Sequence, residues 1–217
     1  VLSALLAQII SAYLGIFVFG FNKSPISPII IAILIGLIIN NTTNKLSHYS
    51  DGFAFCTNYI LKLGIILLGI RLSLNEIALY GLKGLIIIIP CIILSIAFVT
   101  IFRNYFIISD RLSLLIAIGT SICGATAIMA LAPLIKAKKE EISYAIANIT
   151  IFGLLAMFIY PVIGYYILND HSLAVGLFLG SSIHETAQVA GSGMIYAQQY
   201  SNPMVLEIST VIKLVRN

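Results

Sequence analysis

Residues 180–194 read GSSIHETAQVAGSGM, a stretch that sets His184, Glu185 and Gln188 inside an otherwise apolar segment. Ionisable groups at membrane depth are expensive, which makes them functional candidates by default. An earlier stretch repeats the outline: residues 119–128 read GTSICGATAI against GSSIHETAQV at 180–189, sharing Gly, Ser and Ile in register with small residues around them. The two are read as a pair.

Composition sets the class in which that pair has to work. With 60% apolar residues, 9% charged residues and a mean hydropathy of +1.07, the chain has too little polar surface to cover a soluble globule, so a polytopic membrane protein is expected. The runs are continuously apolar rather than alternating, which excludes barrel strands and leaves an all-α transmembrane helix bundle. The net charge of +4 comes mainly from Lys and Arg at segment ends. That is the pattern of membrane-flanking loops and gives no argument for nucleic acid. Cys56, Cys91 and Cys123 are an odd, widely spaced set without the close pairings of a zinc or redox site, so no disulfide, metal or cofactor is implied.

A hydrocarbon core of about 30 Å takes about 20 helical residues. On that measure one transmembrane domain divides into about seven spans, at residues 1–21, 28–40, 53–72, 77–102, 112–135, 142–168 and 173–200. An eighth apolar run has covered only about a dozen residues when it reaches Asn217, too few to cross, so we expect a piece of a longer protein. Pro90 and the Tyr160-Pro161 pair predict kinks, and Lys83 is expected to snorkel from the end of its span. Ser109-Asp110 supplies an N-cap pair. Lys62, in mid-run, has two readings: a snorkelling side chain on a helix that enters late, or a buried counter-ion for an anion.

Counting charges on alternate sides puts Lys23, Arg71, Lys136, Lys138 and Lys139 on one face, and Lys45, Arg103, Arg111 and Arg216 on the other. The positive-inside rule then places the loop at 136–139 in the cytoplasm and the N-terminus outside. One re-entrant segment would invert everything after it.

The chemistry of the two stretches follows from what small residues permit. Thr120, Ser121, Cys123, Gly124, Ala125, Thr126 and Ala127 carry almost no bulk. Such a run either packs closely against another helix or unwinds so that backbone groups face a cavity. In the second stretch helical spacing puts Ser181, His184, Gln188 and Ser192 on one stripe, with Glu185 beside it. Gly176 and Gly180 offer a GxxxG packing face, and Gly191-Ser192-Gly193 is expected to loosen the helix. His184 and a buried Glu185 are suited to proton coupling; the competing account is an interhelical hydrogen-bonded clamp that does not titrate. His184-Glu185 begins like the zinc motif HExxH, but Gln188 stands where the second His ligand belongs. No phosphate loop or nucleophile elbow appears elsewhere, so an enzyme is not expected.

Three blocks in this order, LGIILLGIRLSL at 63–74, SICGATAI at 121–128 and SSIHETAQVAGSG at 181–193, resemble the YeiH family of sulfate exporters, grouped with the bile acid/arsenite/riboflavin transporter superfamily. VIKLVR at 211–216 resembles that family's basic segment. The resemblance implies an inner-membrane, multi-pass secondary carrier of about ten spans, built from two inverted halves that each hold a broken helix at the substrate site. By that pattern the C-terminal spans lie beyond this chain. With one span between them, however, the echoing stretches would run parallel. Either the echo is coincidence or an intervening segment fails to cross.

For an oxyanion such as sulfate or an organic sulfonate, half-helix N-termini and the hydroxyls of Thr120, Ser121, Thr126, Ser181 and Ser182 are the expected donors. Lys62 or Lys213 would add a full charge. The carboxylate of Glu185 would repel an anion unless protonated, which would couple transport to H+; Na+ is the other candidate coupling ion. The substrate and ion site is therefore expected among these residues with Cys123, Gly124, His184 and Gln188. The competing class is a membrane scaffold or sensor subunit in which the buried polar groups only clamp helices. Whether the chain forms a homo-oligomer stays open.

Overall fold

A computed structural model describes residues 2–13, 31, 32, 35, 36, 38, 39, 42, 50–60, 63, 64, 66, 67, 74–103, 105 and 108–217. Among these residues the regular structure is helical and no strand occurs, in agreement with the expected all-α bundle. Helix α1 is Leu2–Tyr13, and α2 (Ser50–Phe55) passes into a π-helical turn at Cys56–Ile60. The spans expected at 1–21, 28–40 and 53–72 are described only in part, and Lys23, Lys45, Lys62 and Arg71 lie outside the described residues.

Among the described residues two helices are long and apolar enough to cross a membrane. The first, α3 (Leu74–Phe102), keeps Pro90 inside it without ending there. Its Ile86, Leu94, Phe98 and Ile101 are exposed, an apolar surface that suits lipid rather than water. The second is α6 (Lys139–Leu168), with Pro161 inside. At about 1.5 Å per residue, 29 and 30 residues exceed the hydrocarbon thickness.

The segment before α6 behaves differently. Helix α4 (Asp110–Ser121) starts as the sequence predicts, with Ser109 Oγ accepting the Leu112 N–H at 3.1 Å. It stops at residues 122–124, and α5 (Ala125–Leu131) turns back. Leu115 of α4 shares a buried cluster with Ile128 and Ala132, and Gly119 packs on Ile128. At the base Ser109 Oγ donates to Glu141 Oε1 at 2.5 Å, so the chain leaves from and returns to the N-terminal end of α6. Twelve residues reach roughly 18 Å at the helical rise. Residues 112–135 therefore form a re-entrant hairpin and not the single crossing span expected.

The segment after α6 repeats this from the other end. Helix α7 (Ser172–Ser182) runs in, residues 183–185 leave the helix, and α8 (Thr186–Tyr200) runs out. Asn202 Nδ2 donates to Ser172 Oγ at 2.9 Å and Asp170 Oδ1 at 3.1 Å, and Tyr196 Oη donates to Asp170 Oδ1 at 2.6 Å. Val175, Leu179, Val189 and Tyr196 fill one core between the two arms. The span expected at 173–200 is thus a second hairpin. The stripe expected through Ser181, His184, Gln188 and Ser192 is cut by the break, which leaves Ser181 on α7 and Gln188 and Ser192 on α8.

Helix α9 (Met204–Arg216) runs beside α7 in the same direction. A methyl group at Gly176 would stand 2.5 Å from Ile208 Cγ2, and one at Gly180 would stand 2.6 Å from the Ser209 carbonyl oxygen, so the GxxxG face packs as expected. Gly191 and Gly193 do not loosen α8. Gly191 lies against Met157 Sδ, and a methyl at Gly193 would stand 2.9 Å from Leu206 Cα. Their lack of a side chain lets α6 and α9 close on the hairpin, and packing outweighs the intrinsic cost of glycine in a helix.

The two hairpins enter from opposite ends of α6, which settles the conflict between the echo and the topology. Neither echoing stretch crosses, so the pair is inverted although only one spanning helix separates them. Arg103, paired with Asp110 at 3.0 Å, and Arg111 consequently lie at the same end of α6 as Lys136, Lys138 and Lys139. Counting them on the opposite face assumed that 112–135 crosses.

Candidate functional site

The hairpin tips meet halfway along α6. Gly124 has φ +72° and ψ −126°, a conformation that L side chains rarely adopt, and this is what ends α4 and redirects the chain. Ile183 and Glu185 are in extended conformation, which breaks the second helix without glycine. A Cβ on Gly124 would stand 2.8 Å from Glu185 Cγ and 3.3 Å from Ile149 Cγ2. The missing side chain is the space that Glu185 uses.

Gln188 is buried and turned toward α6, where it packs onto Gly153. Its Nε2 donates to the Thr150 carbonyl at 3.4 Å, and its Oε1 accepts the Glu185 N–H at 3.3 Å. Ser192 Oγ is buried and donates to the Val189 carbonyl at 2.9 Å. His184 is half-buried, and its Nδ1 is buried with no hydrogen-bond partner among the described residues. Orphaned buried nitrogens are uncommon and call for an explanation.

Breaking a helix leaves its last carbonyls without intrahelical donors. Here two such ends, those of α4 and α7, point at one another, each equivalent to about half a negative charge. Two cations from α9 fill the space between them. Lys213 Nζ donates to the carbonyls of Ile122 at 2.8 Å, Ile183 at 3.2 Å and His184. Arg216 donates from Nε to Ser121 at 2.9 Å, from Nη1 to Ser181 at 2.5 Å and Ile183 at 3.3 Å, and from Nη2 to Thr120. Lys213 is fully buried and Arg216 nearly so, and among the described residues no carboxylate pairs with either. Carbonyls from both hairpins take that place.

The small-residue run does both things open to it: it packs closely against Ile149 and it unwinds. Of the hydroxyls expected as donors, Thr120 bonds back to Ile116 O, Ser121 to Ala117 O, Ser181 to Leu177 O and Ser182 to Phe178 O, each at 2.5–2.6 Å. In this conformer they present lone pairs, not protons, to the tips. Thr126 is exposed on α5, and Cys123 is a free, half-buried thiol at the first tip. Lys213 does reach the site, but its ammonium is occupied by carbonyls rather than held open for an anion. Among the described residues no group of three His, Cys, Asp or Glu could hold a metal.

Three participants escaped the sequence reading: Arg216 as a partner of Lys213, the Thr150 carbonyl, and Gly153 opposite Gln188. The spacing of Lys213 and Arg216, three apart and hence on one helix face, was a signal for the first. A groove of about 650 Å³ beside α3 is lined by Leu94, Phe98, Val99, Phe102 and Thr120. Its walls are apolar and touch the tips only at Thr120, so it belongs to the side facing lipid.

The family model described as conserved hypothetical protein 698 matches residues 1–217. Among curated proteins, a UPF0324 membrane protein of Streptococcus agalactiae is 36% identical over 189 residues, covering 86% of this chain and 55% of that protein. One from Photorhabdus laumondii is 36% identical over 217 residues, covering 95% and 59%. One from Pasteurella multocida is 36% identical over 223 residues, covering 94% and 63%. The chain thus spans little more than half the length of the curated relatives it matches. No solved structure matches.

Proposed function

From a chain that belongs to the conserved hypothetical protein 698 family, whose curated relatives are named UPF0324 membrane proteins, we propose part of a secondary carrier for a small oxyanion. The observation that carries this reading is the meeting of two opposed re-entrant hairpins at charged, unwound tips. Irregular backbone at membrane depth is tolerated where it lines a site, and a pure scaffold has no need of it. Each hairpin closes the path toward its own face, so movement of either past α6 would open the tips to one side at a time.

Lys213 and Arg216 set two full positive charges against the roughly half-charges of the two helix ends they bind, and the positive charge left over at the tips favours an anionic substrate over a cationic one. The backbone N–H groups at the start of α8 face the same region as donors. The resemblance to the YeiH exporters suggests sulfate or an organic sulfonate. Glu185 opposes an anion while ionised, so its protonation would accompany binding and couple transport to H+.

With the hairpins placed as described, five basic residues gather at the N-terminal end of α6, and no Lys or Arg occurs from 140 to 212. By the positive-inside rule that end faces the cytoplasm of a bacterial inner membrane. Reconstituting the full-length protein in liposomes and measuring sulfate, sulfite and sulfonate flux under imposed proton and sodium gradients tests the reading. Flux of none of them above empty liposomes would favour the scaffold or sensor alternative, for which the carbonyl-bound Lys213 and Arg216 would be simple clamps.

A further inference from the structure

Lys213 and the carbonyls around it have the form of an occupied cation site. The ammonium sits among the oxygens of Ile122, Ile183 and His184, contributed by the ends of two different hairpins. Hard monovalent cations take such oxygens as ligands, with carbonyl dipoles replacing the hydration shell. Lys213 lies four residues before the end of the described chain on a helix wedged against both hairpins, and its side chain is fully buried. These carbonyl oxygens receive the ammonium at a depth where an unpaired charge costs several kcal/mol.

We propose that this carbonyl cage is a monovalent-cation site that the chain fills with its own Lys213 ammonium. The tether keeps a cation-bearing group at the cage without drawing an ion from solution. A free Na+ or K+ is then unnecessary for joining the tips and has no place to bind there. Removing the ammonium turns the cage into a site for Na+ or K+, whose occupancy the tips then require. Resting additionally on the carrier reading, the coupling ion is H+ and not Na+, because the cage between the tips is already taken.

The test uses the full-length protein in detergent, with thermal unfolding followed in sodium, potassium or choline chloride at matched ionic strength. Wild type is expected to unfold at the same temperature in all three salts. Lys213→Ala is expected to unfold earlier in choline and to recover saturably in sodium or potassium; a salt at ten times its dissociation constant would shift the folding equilibrium about elevenfold. Should the alanine variant not fold, Lys213→Gln, whose amide can donate to part of the cage, is read the same way. Saturable stabilisation of wild type by sodium over choline overturns the proposal, as does a lysine-variant defect that neither alkali ion relieves. In liposomes, wild-type flux that follows a sodium gradient would overturn the coupling statement alone, and absence of all flux would remove the carrier reading while the unfolding result still decides the cage.

Discussion

The two hairpins share a sequence outline and a fold and divide the work between them. The first turns at Ile122, Cys123 and Gly124, with one left-handed glycine and no ionisable group other than a thiol. The second turns at Ile183, His184 and Glu185, the first and last of them in extended backbone, and carries the charge. One contributes room and the other chemistry: Gly124 is bare where Glu185 stands. Their support differs too. The second hairpin is sandwiched between α6 and α9, with glycines at 176, 180, 191 and 193 letting the backbones close, while the first leans on the N-terminal half of α6 and on α3. Besides α6 they share α9, whose two cations bind carbonyls of both.

The comparison therefore breaks most severely at the shared element. Arg216→Ala would leave carbonyls of both tips without their donors, and at about 1–3 kcal/mol per unsatisfied buried group we expect a loss of several kcal/mol, read as a large drop in the unfolding midpoint or in yield of folded protein. Next comes the first tip. Gly124→Val places a branched side chain at positive φ and against Glu185, costing about 1–3 kcal/mol of strain; the protein should insert but not transport, and flux equal to wild type would show that room at this tip is dispensable.

A smaller effect is expected at the base of the second hairpin. Tyr196→Phe removes the hydrogen bond to Asp170 and should cost about 1 kcal/mol, detectable as a modest fall in unfolding midpoint with transport retained. Smallest in stability but decisive for mechanism is Glu185→Gln. The amide keeps the size of the side chain, so folding should be close to wild type while flux loses its pH dependence. Full pH dependence in that variant would make Glu185 structural and the asymmetry between the tips one of packing alone.

Much of this site was legible in the residues. The small-residue run around Gly124 marks one place where a helix ends, because glycine with nothing to hold it is costly inside a continuous helix; the polar insertion at His184-Glu185 marks the second tip as a costly place for ionisable groups, although helical spacing was carried straight through it. The hydroxyls misled, since Thr120, Ser121, Ser181 and Ser182 find their acceptors one turn back along their own helices, a local bond that composition does not reveal.

The chain by itself determined a helical membrane protein, an unwinding open to the run at Gly124 and most of the groups near the tips, because hydropathy and side-chain bulk are local properties; the second break, at 183–185, was read through as continuous helix. Whether a broken segment carries on across the bilayer or turns back was decided only in three dimensions. Ser109 meeting Glu141 and Asn202 meeting Ser172 fix that choice, and both contacts join residues about 30 apart. The same holds for Lys213 and Arg216. A lysine and an arginine in an apolar run predict a costly charge, but carbonyls exposed by breaks about 30 and 90 residues earlier become their partners only when both hairpins reach the same depth.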